Sequence, residues 1–317
     1  MKVCVAGEGA FGIKHLDALA RIEGIEVISL CGGVAEPTQT VARERGIAHW
    51  TLDLEASLAQ PGLEAVILAT PTGIHAAQAT ATMQAGKHVL VEIPMADNLA
   101  DSEALVQLQK QTGVVAMVDH VRRFNPSHQW IHNKITAGEL TIQQLDVQTY
   151  FFRRTNTNAK GEPRSWTDHL LWHHACHTVD LFQYQTGGAA ESVTALQGPV
   201  HAELGIAMDM VIGLKAASGA LCTLSLSFNN QGPFGTFFRY ICDNGTYIAN
   251  YDDLFTGDGE QIDVATMALS TDGIELADRE FFAAIREQRE PNSSLAQGLA
   301  AMQTLHRLEL KLGQELP

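Results

Sequence analysis

Six residues near the N-terminus decide most of what this chain can become. Gly7-Glu8-Gly9-Ala10-Phe11-Gly12 follows the small and β-branched run Val3-Cys4-Val5-Ala6 and leads into an amphipathic stretch of helical length. A strand that enters a G-x-G-x-x-G turn and leaves as a helix predicts the phosphate-binding turn of a dinucleotide-binding unit. Gly7 permits the tight turn, Gly9 lets the backbone approach a pyrophosphate, and Gly12 allows the helix to lie close to the sheet. The first helical N–H groups, those of Ala10 and Phe11 among them, then meet the anion.

The pattern repeats as far as residue 119. Apolar runs at 3–6, 27–31, 65–69, 89–92 and 114–118 are short and lack strict alternation, as strands buried on both faces do. Amphipathic stretches at 13–21, 36–45, 75–85 and 99–111 lie between them as crossover helices. The order predicts an α/β domain over residues 1–122, a doubly wound parallel Rossmann sheet. Beyond Arg123 the pattern changes. Phe124-Asn125-Pro126 opens a predicted helix through Lys134, and 141–152, 191–197, 207–215, 219–228, 236–242 and 245–251 read as strands. Ala220, Cys222, Leu224, Leu226 and Phe228 alternate with Thr223, Ser225 and Ser227, and the turns Ala217-Ser218-Gly219 and Asp243-Asn244-Gly245 suit hairpins. A polar loop spans 156–164, and Pro291-Asn292-Ser293-Ser294 caps a closing helix over 295–312. Residues 123–317 are thus expected to form an α+β substrate domain with a large, mostly antiparallel open sheet.

Charge narrows the partners. With 36 acidic and 21 basic side chains the net charge is −15, which repels nucleic-acid phosphates and anionic lipid surfaces. Neither nucleic acid nor membrane is an expected partner, and any anionic ligand must be met where the few cations gather. No apolar run approaches the length of a membrane span, and Met-Lys-Val-Cys-Val-Ala has no signal-peptide character. The five cysteines are scattered and form no C-x-x-C pair, which fits reduced thiols in the cytoplasm.

The end of the second strand bears on the cofactor. A unit specific for NAD places an Asp or Glu there for the ribose 2′-hydroxyl, whereas this chain has Leu30-Cys31-Gly32-Gly33-Val34. With Cys31 and Gly33 in place of a carboxylate, nothing on this strand end repels a 2′-phosphate, and no Arg attracts it. NADP is the expected cofactor, with NAD tolerated. Glu36 is read as the start of the next helix, where its charge suits the dipole.

Further segments appear in order: His15 after the glycines; Ala69-Thr70-Pro71-Thr72 with His75; Ala85-Gly86-Lys87-His88-Val89 leading to Glu92-Ile93-Pro94; and Arg122-Arg123-Phe124-Asn125-Pro126. Together with the glycine turn they resemble the glucose–fructose oxidoreductase/inositol dehydrogenase (Gfo/Idh/MocA) family. The resemblance implies a nicotinamide cofactor framed by Thr70, Pro71, Thr72 and His75 and by Glu92 and Pro94. It also implies a homodimer or homotetramer paired through the open sheet of the second domain.

Two departures stand out. The family has Lys where this chain has Ile93, and Asp-x-x-x-His where it has His173-x-x-x-His177. The resemblance implies His177 as general base, with His173 as its hydrogen-bonding partner or as the substitute base. On a helix His169, His173 and His177 share one face, with Asp180 a turn further on, and Asp168 and Asp180 are candidates to orient imidazoles. His-x-x-x-His is also a metal spacing, but the Glu of H-E-x-x-H is missing and the pair stands where the family has its acid and base, so no metal is expected.

These departures, with segments at 150–154, 160–169, 228–230 and 237–245, resemble a branch of the family that oxidises a cyclic hemiacetal dicarboxylate to a lactone with NADP. Such a substrate calls for guanidinium partners. Arg122 and Arg123 follow the last parallel strand, and Arg153, Arg154 and Arg164 flank the loop before the histidines. Arg123 and Arg164 lead this set, with Asp168 and His169 beside them and Asn229, Asn230 and Arg239 as further polar candidates. Two other readings stay open. One is a sugar or inositol dehydrogenase of the same family; the other is a dinucleotide-binding sensor without catalysis, which would need neither the histidine pair nor the arginines.

Overall fold

A computed structural model describes residues 1–314 except 158–160, 162, 165 and 166, and without the side chains of 267 and 314. The chain forms two compact units, Met1–His120 with Ile274–Leu299, and Val121–Gly273 with the chain from Ala300.

In the first unit β1 (Lys2–Ala6), β2 (Glu26–Cys31), β3 (His49–Thr51), β4 (Leu63–Leu68), β5 (His88–Val91) and β6 (Ala116–Val118) form one parallel sheet in the order β3-β2-β1-β4-β5-β6. The order reverses beside β1, so the glycine turn leaves the sheet at its switch point, where doubly wound folds bind ligands. Val3, Cys4, Val5, Ala6, Val66, Ile67, Leu68, Val89, Leu90 and Val91 are wholly buried, which is why these runs show no alternation. The crossovers are α1 (Ala10–Leu19), α2 (Ala35–Glu44), α3 (Leu54–Leu58), α4 (His75–Gln84) and α5 (Leu99–Thr112). Helix α5 shows the local logic: the Asn98 side chain accepts from the Asp101 N–H at 2.9 Å, and Gly113 ends the helix with φ +68°. Strand β3 and helix α3 were not anticipated, being three and five residues long.

The second unit opens with α6 (Pro126–Thr136), which has Pro in its first turn. Then follow β7 (Ile142–Tyr150), α7 (Cys176–Thr186), β8 (Ser192–Gln197), β9 (Asp209–Lys215), β10 (Leu221–Ser227), β11 (Gly235–Cys242), β12 (Gly245–Asn250), β13 (Asp253–Thr256) and β14 (Gln261–Ile262). The strands make an eight-stranded sheet ordered β14-β13-β12-β11-β7-β10-β9-β8. Only the β7–β10 pair in it is parallel. As the alternation predicts, Cys222, Leu224, Leu226 and Phe228 are buried while Thr223 is exposed.

The chain then forms α8 (Gly273–Glu287) and α9 (Leu295–Gln314). The expected single division at 122/123 therefore differs from the structure in two ways. The passage between units falls between His120 and Val121, and Ile274–Leu299 returns to the first unit. The return is tied down by polar contacts that no local pattern announces: Asp278 on α8 meets His15 at 2.9 Å, and Ser293 donates its hydroxyl to the Val118 carbonyl at 2.8 Å. The Ser294 hydroxyl accepts from the Gln297 N–H at 3.2 Å, starting α9 as its sequence suggested. All five cysteines are buried and unpaired, and no described helix is long and apolar enough to cross a membrane.

Candidate active site

In the first unit each glycine of the turn has a separate steric reason. Gly7 has φ +121° and donates its N–H to the Cys31 carbonyl at 2.8 Å; a Cβ there would meet the Ala69 carbonyl oxygen at 2.3 Å. A Cβ on Gly12 would meet the Gly7 carbonyl oxygen at 1.8 Å, so α1 lies against the turn only with glycine at that position. Gly9 N-caps α1 and is different, because a Cβ there would touch nothing within 4 Å. Helix α1 has no side-chain cap and no acid in its first turn, which leaves its N-terminal N–H groups, including those of Ala10 and Phe11, to an anionic ligand. Open space over Gly9 and an uncapped helix start fit a dinucleotide pyrophosphate.

At the end of β2, Cys31 is buried, and burial pushes its thiol up to about 12. Next to it Gly33 donates its N–H to both Oε1 and Oε2 of Glu8 at 3.0 Å, and the Val34 N–H meets Oε1 at 3.0 Å. Sequence reasoning passed over Glu8, since the x of G-x-G carries no side-chain requirement.

The framing loops are joined by His75. Its Nδ1 lies 2.9 Å from the Pro94 carbonyl and its Nε2 2.8 Å from the Thr70 carbonyl, while the Thr70 hydroxyl donates to Gln78 at 2.6 Å. Pro71 precedes a short turn of helix over Thr72–Ile74, and the Ile93–Pro94 peptide is cis. One buried imidazole therefore fixes the segment after β4 against the segment after β5. Glu92, at the end of β5, is held from beneath by His15, whose Nε2 lies 3.3 Å from Oε1. His15 Nδ1 meets Asp278 Oδ1 at 2.9 Å, and Asp119 Oδ2 is 3.7 Å from Nε2. Burial opposes a charge on His15, but the Asp278 and Glu92 carboxylates outweigh it and raise its pKa well above the ordinary imidazole value. Among the described residues, the trio His15, Glu92 and Asp119 brings ligand atoms within 4.8 Å of one another. An imidazolium placed among carboxylates accounts for that spacing as an ion-pair cluster.

In the second unit the histidine segment is not one continuous α-helical face. Leu170–Ala175 wind as π-helix, α7 begins at Cys176, and His169 stands in front as an extended N-cap whose Nδ1 accepts from the Trp172 N–H at 3.5 Å. A π turn changes the angular spacing, so the i, i+4, i+8 reading of His169, His173 and His177 does not carry over. The His169 N–H donates to His173 Nδ1 at 3.1 Å. Burial, and then the neighbouring His169, pushes His173 down to about 3, leaving it neutral at physiological pH. His177 is half-buried in the first turn of α7.

The arginines separate into two groups. Arg153 donates from both terminal nitrogens to the two oxygens of Asp168, Arg164 donates to Asp168 Oδ1 at 2.7 Å, and His174 Nε2 lies 2.9 Å from Asp168 Oδ2. The imidazole that Asp168 holds is thus His174. Burial alone would push the Asp168 carboxyl up, but His174 and Arg153 pull it well below the usual carboxylate range. Arg153 also stacks over Phe228 at 4.6 Å. The second group faces other partners. Arg123 forms a bidentate pair with Asp180 at 2.8 and 2.6 Å, is buried, and stacks over Tyr184. Asp180, expected to orient an imidazole, receives that guanidinium fork. Arg122 is buried over the Tyr251 ring at 4.9 Å and donates to Asn125 at 3.3 Å. Arg154 donates to the Arg153 carbonyl at 2.6 Å, Asn229 to Asp209 at 2.6 Å and Asn230 to the Pro233 carbonyl at 2.9 Å. Arg239 is exposed on β11. Lys160, Glu162, Ser165 and Trp166, from the segment at 160–169, lie outside the described residues.

Residues 1–120 match the family described as "Oxidoreductase family, NAD-binding Rossmann fold", and residues 126–268 match "Bacterial oxidoreductases, C-terminal". The 4-carboxy-2-hydroxymuconate-6-semialdehyde dehydrogenase of Sphingobium sp. (strain SYK-6) is 62% identical over 315 residues, covering 99% of this chain and 100% of that protein. The scyllo-inositol 2-dehydrogenase (NAD(+)) of Bacillus subtilis is 26% identical over 247 residues, 75% of this chain and 70% of its own length. A crystal structure of an oxidoreductase from Agrobacterium radiobacter, in complex with NAD+, L-tartaric acid and magnesium, has the same fold. Its TM-score is 0.85 at 17% identity, over 100% of this chain and 97% of that chain.

Proposed function

The chain belongs to the Gfo/Idh/MocA oxidoreductase family, and from that premise we propose that it oxidises the cyclic hemiacetal of 4-carboxy-2-hydroxymuconate 6-semialdehyde to 2-pyrone-4,6-dicarboxylate, a step of protocatechuate catabolism. NADP is the proposed oxidant, with NAD tolerated. The observation that carries this reading is the cluster in which Arg153 and Arg164 converge on Asp168. Two guanidiniums against one carboxylate leave a net positive charge in a chain of net charge −15. Two of the five N–H donors of Arg153 point to Asp168, so the side chain keeps donors for a second carboxylate.

The oxidation removes a hydride from carbon and a proton from its hydroxyl, leaving the lactone carbonyl. Bound nicotinamide supplies the hydride acceptor. His177 takes the hydroxyl proton, while His173, held neutral by burial, is a weaker base than an ordinary imidazole and takes the supporting role. Ile93 is compatible with this substrate. A hemiacetal hydroxyl is more acidic than that of a simple alcohol and its oxidation to a lactone is more favourable than ketone formation, so the missing ammonium is not required. Exposed Leu196, Val211 and Leu221 on the adjoining strands β8, β9 and β10 support a homodimer or homotetramer paired through this sheet. The unpaired cysteines support a cytoplasmic location.

Arg153→Gln and Arg164→Gln test the reading. Each removes a charge-assisted contact of about 1.5–3 kcal/mol, so KM for the dicarboxylate rises roughly 10- to 100-fold while kcat and dinucleotide affinity change little. An unchanged KM in both folded variants contradicts it.

A further inference from the structure

The backbone donors after β2 already hold a carboxylate, and it comes from the glycine turn. Glu8 reaches across to the end of β2, where three contacts of 3.0 Å join its oxygens to the N–H groups of Gly33 and Val34. Val34 is the N-cap of α2 and has no side-chain cap of its own. A βαβ dinucleotide unit receives the adenosine ribose at the end of this strand, and an acid on the strand ordinarily meets the 2′-hydroxyl. Here residues 30–34 carry neither an acid nor a base.

There is a steric reason for part of that. A Cβ on Gly32 would meet Thr38 Oγ1 at 1.8 Å, and Thr38 is itself fixed to the Val34 carbonyl at 2.6 Å. No side chain of either sign fits at 32. At Gly33 a Cβ would stand 3.7 Å from Glu8 Oε1, so Glu8 borders the space a substituent there would enter.

We propose that Glu8 sets the discrimination between NAD and NADP, holding with its carboxylate the Gly33 and Val34 N–H groups that a 2′-phosphate needs. A ribose 2′-hydroxyl donates to a carboxylate in this place. A 2′-phosphate is repelled by it and competes for the same donors. NADP therefore binds by displacing Glu8, and the preference reflects how readily that side chain leaves. This qualifies the proposed use of NADP, since Glu8 favours NAD for as long as it holds those donors and NADP is used only once it is displaced; the proposal rests on the first unit being the dinucleotide site.

The test uses the full chain with Glu8→Gln, which keeps the length and removes the charge, and with Glu8→Ala. Dissociation constants are measured by calorimetry for NAD+, NADP+, adenosine 5′-monophosphate and adenosine 2′,5′-bisphosphate. One unit charge acting through water on a phosphate of about two charges at about 5 Å corresponds to roughly a fivefold effect after screening, and loss of the 2′-hydroxyl contact of NAD adds to it. The ratio Kd(NADP)/Kd(NAD) falls about tenfold in the variants, and the bisphosphate gains affinity over the monophosphate in parallel. A ratio within about twofold of wild type in both variants, with both dinucleotides still bound, overturns the role of Glu8 alone. Failure of the wild-type chain to bind either dinucleotide would instead contradict the site on which the proposal rests.

Discussion

Replacing Asp168 with Asn removes the negative charge shared by two guanidiniums and an imidazole without changing side-chain size. The Arg153, Arg164 and Asp168 side chains are only 16%, 17% and 10% exposed, so water screens the orphaned cations poorly. Breaking a buried ion pair costs about 3–5 kcal/mol. The sixth of each arginine that remains exposed places this case at the lower end, about 3 kcal/mol. The pH dependence has a definite sign. The folded carboxyl is held below its ordinary value, with His174 and Arg153 outweighing burial, so its contribution is present above about pH 4 and is lost as the pH falls further. Urea unfolding followed by tryptophan fluorescence at about pH 7 and about pH 3.5 should show a wide gap between wild type and D168N at the higher pH and a narrower one at the lower. A gap under about 1 kcal/mol at pH 7, or one equally wide at both, would refute the reasoning.

Two further substitutions separate the roles assigned to histidines. His15→Gln removes an imidazolium whose pKa is raised by Asp278 and Glu92 against the opposing effect of burial. Its contribution is complete below about pH 6.5 and fades as the pH rises through the higher folded value, so wild type should lose more thermal stability than H15Q between about pH 7 and pH 10. Parallel curves would contradict the ion-pair reading. His177→Ala should lower kcat by about 10²–10⁴ with dinucleotide affinity unchanged; a similar kcat in H177A would remove His177 as the base.

The sequence was informative where local pattern and structure coincide. The parallel strands are apolar because both faces are covered, and β10 alternates because one face is. The glycine turn is legible for the same kind of reason, since Gly7 and Gly12 each answer a backbone atom that a Cβ would strike. Short elements such as β3, and β14 with its two residues, carry too few positions for any period to show. The return of Ile274–Leu299 to the first unit depends on His15 meeting Asp278, a pairing 263 residues apart with no local trace. At the candidate site, spacing arithmetic assumed α-helical winding and met a π-helix at Leu170–Ala175. Residue type alone also did not separate the arginines: Arg153 and Arg164 converge, whereas Arg123 was already balanced by Asp180. Glu8 leaves no trace at the strand end for a similar reason, because the carboxylate there comes from the neighbouring turn and not from along β2.

Product formation identifies the substrate. The purified chain is supplied with ring-cleaved protocatechuate, or with inositol and a panel of sugars, in the presence of NADP or NAD. Reduced nicotinamide is followed by absorbance and the organic product by mass spectrometry. The expected result is one equivalent of reduced cofactor per equivalent of 2-pyrone-4,6-dicarboxylate from the hemiacetal, and no turnover of the polyols. Reduction with a sugar or inositol and none with the hemiacetal would contradict it, as would tight dinucleotide binding with no turnover of any substrate.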